Sequence, residues 1–126
     1  MSARSASRAP RWRLDGKVAL VTGGGQGVGL GIAKALGAAG AALAILDIDP
    51  ARAQAAVDEL RGRGVVAEGF VADVAHVAQV RDAVDAVMAT FARLDVIVNN
   101  AHTVIPGRVV DISEHDLETV WSTGFL

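Results

Sequence analysis

The stretch Thr22-Gly23-Gly24-Gly25-Gln26-Gly27-Val28-Gly29 constrains this chain more than any other. It follows a short apolar run with valines, Lys17–Thr22, and precedes a helical pattern from about Gly27 to Ala39, closed by Gly40. Glycines in that setting let the backbone turn tightly and approach a ligand with no Cβ in the way. A helix that starts directly after such a turn presents unpaired N–H groups and the positive end of its dipole, which suits phosphate oxygens. The order of strand, glycine turn and helix is what separates this loop from an ordinary flexible turn. No Lys-Ser or Lys-Thr pair follows the glycines, so a Walker-type loop is excluded. The common G-x-G-x-x-G spacing fails too, because Leu30 and Ile32 stand where its last glycine would fall.

The same alternation continues along the chain. Ala41–Leu46 is a second apolar run, ended by Asp47, and Asp49 with Pro50 forms a helix start. That helix runs to about Arg61, where Gly62 and Gly64 stop it. Val65–Val71 reads as a third strand. Val77, Val80, Val84, Val87, Met88 and Phe91 then fall at helical spacing, giving an amphipathic helix over His76–Phe91. Leu94–Val98 is a fourth strand, followed by a loop through Pro106 and Gly107, and Ser113 with Asp116 opens a last helix. The order βαβαβαβα predicts an α/β fold, the N-terminal half of a Rossmann-type doubly wound parallel sheet. Right-handed crossovers place the first strand at the centre, with the switch point between strands one and four.

Composition narrows the class further. A chain of 126 residues, 52% apolar, fits one globular domain, and a net charge of -2 gives no electrostatic case for nucleic acid or a membrane surface. The longest apolar runs are too short to span a bilayer. With no cysteine there are no disulfides and no thiolate metal sites, which agrees with a cytoplasmic protein. No metal site is expected. Residues 1–13 hold Arg4, Arg8, Arg11 and Arg13 and no acid. Pro10 interrupts any amphipathic helix there, so the segment reads as a basic, disordered tail rather than a transit peptide. Residues 14–126 then form the dinucleotide-binding domain.

The spacing that the loop does meet is T-G-x-x-x-G-x-G, through Thr22, Gly23, Gly27 and Gly29. With the lead-in Leu14-Asp15-Gly16-Lys17-Val18-Ala19-Leu20-Val21, the sequence resembles the short-chain dehydrogenase/reductase family from Leu14 onward. The resemblance implies an NAD(P)-dependent oxidoreductase that moves a hydride between a nicotinamide and a carbonyl or alcohol substrate. It assigns cofactor binding to Thr22, Gly23, Gly25, Gln26, Gly27, Val28 and Gly29. Asp47, 18 residues after Gly29, would accept from both adenosine ribose hydroxyls and repel a 2′-phosphate. The positions where NADP-preferring relatives carry a basic residue hold neutral Gln26 and Ile48, and Arg52 falls on the next helix. NAD is therefore expected over NADP. Asp73 and Val74 would meet the adenine, and an aspartate there equally suits a helix start. In Asn99-Asn100-Ala101, Asn100 would contact the ribose through its backbone with Ala101 beside it, while Asn99 would tie strands together.

The chain also departs from the family pattern. His102 stands where a glycine is expected, and Gly124 falls where the family's helix asparagine belongs. His102 has no nucleophile, metal partner or orienting carboxylate near it in sequence to make it a catalytic base. His76 and His115 sit near helix starts as solvated residues, Trp121 shares a helical face with Leu117 and Val120, and Ser122 and Thr123 have no base beside them. Family catalysis uses a tyrosine and a lysine four residues later, but this chain has no tyrosine, and its lysines are Lys17 and Lys34. No catalytic residue is expected in it. The expectation is a fragment of a longer, homo-oligomeric oxidoreductase that carries cofactor binding without catalysis. The alternatives are a non-catalytic dinucleotide-binding module and a Rossmann-like interaction scaffold.

Overall fold

The computed structural model describes residues 12–101, 113–115 and 118–119. The elements run β1 (Val18–Thr22), α1 (Gly27–Ala38), β2 (Ala42–Asp47), α2 (Pro50–Gly62), β3 (Ala67–Val71), α3 (Val77–Phe91) and β4 (Val96–Val98). The four strands are parallel in the order β3-β2-β1-β4, so β1 is central and the order reverses between β1 and β4, as the sequence predicts. The predicted last helix lies mostly outside the described residues, as do His102, Asp116 and 120–126.

β1 and β2 are apolar up to their last residues, Thr22 and Asp47, because both their faces are covered. Ala19, Val21, Leu43 and Ile45 pack on one side with Ala33 of α1 and Ala56, Val57 and Leu60 of α2. Leu20, Ala44 and Leu46 pack on the other with Ala83 and Val87 of α3. The period-2 alternation of side chains sends neighbours in one strand to opposite faces. β3 and β4 are edge strands with exposed positions such as Val71 and Ile97.

β3 and β4 each start two residues later than the sequence pattern suggests. Val65 does not begin β3, because its N–H bonds Leu60 O (3.0 Å) and closes the end of α2. Leu94 does not begin β4. The link from Asp95 to β1 comes first: Asp95 Oδ2 accepts from Val18 N (2.9 Å), and Asp95 N donates to Val18 O (2.9 Å). The Arg93 guanidinium and that Val18 N–H hold the Asp95 carboxyl down to about 2. At the other end of the unit, Arg13 belongs to the folded body rather than a free tail. It pairs with Asp15 (2.9 Å) and donates to Ala38 O (3.3 Å) at the end of α1.

Candidate functional site

The glycine turn between β1 and α1 is shaped by close approaches. Gly23 has φ +63°, and a Cβ on it would lie 2.9 Å from Ala101 Cα, so only glycine lets the end of β4 pass there. A Cβ on Gly29 would run into Gly23 O and lie 2.5 Å from Asn100 Nδ2. A Cβ on Gly25 would lie 2.5 Å from Asp47 Oδ2. Gly23, Gly25 and Gly29 are therefore required by the contact of three strand ends, a reason the sequence does not display, whereas Gly27 meets nothing within 4 Å and answers to its φ of +56°.

The helix that follows is left open at its N-terminus. Gln26 is the N-cap in extended conformation, its side chain makes no capping bond, and the first turn has no acidic residue. Its N–H groups and dipole face the cleft formed beside Gly23, Gln26, Gly27 and Val28. α2, by contrast, is capped by Asp49, whose side chain accepts from Ala51 N (2.9 Å).

The cleft measures about 370 Å³ and opens at the carboxyl ends of β1, β2 and β4. Asp47, Asp73, Val74, Asn100 and Ala101 complete the part of its lining that the sequence pointed to. Thr22, Gly25 and Gly29 do not line it and act one layer behind. Thr22 is 7% exposed. Its hydroxyl donates to Val98 O (3.3 Å) and accepts from Asn100 N (2.9 Å) and Ala101 N (3.1 Å), clasping the ends of β1 and β4. The Asn100 N–H is thus turned to Thr22, and its amide donates to Gly23 O (3.3 Å). Asn99 is exposed, and no bond from its amide to another strand is found among the described residues.

Asp47 is buried at 4% exposure. Its Oδ2 accepts from Gly25 N (3.1 Å), and its Oδ1 accepts from Asp49 N (3.0 Å). The Arg52 guanidinium reaches back from α2 to the same Oδ1 through Nε (3.3 Å) and Nη2 (3.2 Å). Arg52 and Ile48 both line the cleft. Sequence reasoning left Arg52 out because it lies on a helix. The signal was its place in the first turn, from which a long side chain reaches back toward the strand end. Asp73 serves two ends at once. Its Oδ1 accepts from Ala75 N (2.9 Å) and turns the chain toward α3, while the residue stays on the cleft wall. His76 lies 3.4 Å from its Oδ2 and is the N-cap of α3.

A central parallel strand, a glycine turn into an uncapped helix, and carboxylates at the next strand ends meet in one cleft at the switch point of the sheet. Comparison with known proteins gives the family. Residues 17–126 match the family described as short chain dehydrogenase. D-threitol dehydrogenase of Mycolicibacterium smegmatis is 47% identical over 90 residues, 71% of this chain and 35% of that protein. A short chain dehydrogenase from Burkholderia cenocepacia, solved in complex with NADP, superimposes with a TM-score of 0.81 at 42% identity, covering 88% of this chain and 46% of that one. The apo form of LigD from a Sphingobium strain gives a TM-score of 0.83 at 31% identity, covering 86% and 47%. The chain belongs to the short-chain dehydrogenase/reductase family. It spans less than half the length of these relatives. No helix among the described residues is long and apolar enough to cross a membrane.

Proposed function

We propose that this chain is the cofactor-binding part of an NAD(P)-dependent oxidoreductase acting on a small carbonyl or alcohol substrate. The observation that carries this reading is the convergence of the uncapped α1 N-terminus, the Gly23 approach and the carboxylates of Asp47 and Asp73 on one cleft. The residues fit the group: the uncapped N–H groups at the start of α1 suit pyrophosphate, and the buried Asp47 carboxylate is an acceptor for a ribose hydroxyl. When bound, the nicotinamide would give or take the hydride. Gly23, Gln26, Gly27 and Val28 would hold the pyrophosphate, Asp47 the adenosine ribose, and Asp73 and Val74 the adenine, with Asn100 and Ala101 on the opposite wall. Thr22 and Gly29 support that wall from behind, and Gly25 supports Asp47.

Residues 14–126 would make up the binding domain, and the tyrosine and lysine of family catalysis would come from other sequence, because this chain has no tyrosine. A homo-oligomeric full-length enzyme and a cytoplasmic site of action belong to the same proposal, the first resting on the family and the second on a cysteine-free composition. NAD is favoured by Asp47 and by neutral Gln26 and Ile48, and Arg52 opposes that preference.

Calorimetric titration of the folded chain with NAD and NADP tests the reading. Saturable binding that weakens in Asp47→Ala supports it. A folded chain with no detectable affinity for either dinucleotide refutes it.

A further inference from the structure

The donors around Asp47 do not match a site waiting for two ribose hydroxyls. A carboxylate offers about four acceptor positions, two on each oxygen. Oδ1 already receives Asp49 N and two nitrogens of Arg52, and Oδ2 receives Gly25 N. Oδ1 is saturated and Oδ2 keeps a single free position. A ribose presenting two hydroxyls therefore needs one of these donors to leave. Gly25 N and Asp49 N are fixed by backbone. Arg52 is a long side chain, 39% exposed, at the cleft wall and within 3.8 Å of a second acceptor at Asp49 Oδ2.

We infer that Arg52 is a specificity-determining residue: it occupies Asp47 in the free protein, yields Oδ1 to a ribose diol, and pairs with a 2′-phosphate where one is present. The inference rests on the proposed cofactor site. With Arg52 as a neutralising partner, the Asp47 carboxylate no longer repels a 2′-phosphate as an isolated charge. A guanidinium matches phosphate geometry through paired N–H donors. The site then accepts both cofactors, with Asp47 serving one and Arg52 the other.

The probes are 5′-AMP and 2′,5′-ADP, which carry the adenosine ends of NAD and NADP, titrated calorimetrically into the whole chain. The expected result is measurable binding of both by the wild type. In Arg52→Ala the 2′,5′-ADP affinity falls by about tenfold or more, as expected for losing a charge-assisted phosphate contact. The 5′-AMP affinity holds or rises, because a competitor for Oδ1 is gone. Arg52→Gln, which keeps most of the side chain's length, should shift the ratio the same way, and Asp47→Asn should weaken 5′-AMP more than 2′,5′-ADP. Circular dichroism confirms that each variant is folded. A wild type that binds 5′-AMP, with an affinity ratio unchanged in both Arg52 variants, overturns the role of Arg52 alone. A folded wild type that binds neither probe overturns the proposed function and this inference with it.

Discussion

Thr22→Val removes the clasp between β1 and β4 while nearly keeping the side chain's shape. The lost hydroxyl donates to Val98 O (3.3 Å) and accepts from Asn100 N (2.9 Å) and Ala101 N (3.1 Å). A hydrogen bond contributes a net of about 1 kcal/mol, so the three together bound the loss near about 3 kcal/mol. One of the three is long. Asn100 and Ala101 are only half-buried, so water recovers part of their hydration. The expected loss is therefore about 2 kcal/mol. It falls on a strand that pairs with β1 over the short register Ala19↔Val96 to Val21↔Val98, so little else compensates. In a urea titration followed by circular dichroism, a slope of about 1.5 kcal/mol/M converts this to a midpoint lower by about 1.3 M. Thr22→Ser keeps the hydroxyl and should retain most of the midpoint. Thr22→Val should also weaken cofactor binding, because Asn100 and Ala101 form the wall that the clasp holds. A Thr22→Val midpoint within about 0.3 M of the wild type would refute the argument.

Two glycines of α1 should respond in opposite directions to alanine. Gly31→Ala meets nothing within 4 Å and should stabilise by about 0.5–1 kcal/mol in the same titration, through the better helix propensity of alanine. Gly29→Ala collides with Gly23 O and Asn100 Nδ2 and should destabilise by about 1–3 kcal/mol while weakening dinucleotide binding. Asp95 supplies a pH dependence. Its folded carboxyl lies near 2, below the ordinary 3.8, so its stabilising effect is full above the ordinary value and is lost as pH falls through the folded one. The melting gap between wild type and Asp95→Asn should be present at neutral pH and close between about pH 4 and 2. A gap independent of pH would show that the carboxylate charge contributes nothing.

What the sequence determined by itself is the order of elements and the kind of loop between the first two. Both follow from local physics. Apolar runs that need cover on two faces, helical spacing of valines, Asp49 before Pro50, and glycines ahead of a helix are all readable within one turn or strand. The family spacing Thr22, Gly23, Gly27 and Gly29 is local as well, and it led to the right family. What only the tertiary structure decided is the work each of those residues performs. Thr22 lies in the motif, yet its partners are 76 to 79 residues away at the end of β4, a pairing that exists only once the sheet forms. Gly29 is required by Gly23 O and the Asn100 amide, which converge on it from two other elements. Arg52 read as a remote helix residue, because sequence spacing does not reveal that the first turn of α2 rises directly over the end of β2. Folding brings its guanidinium onto the buried carboxylate of Asp47, and that contact changed the expected site most. Local pattern sets which elements form. Side-chain reach across the ends of neighbouring parallel strands sets which charges meet, and the proposed choice of cofactor rests on those charges.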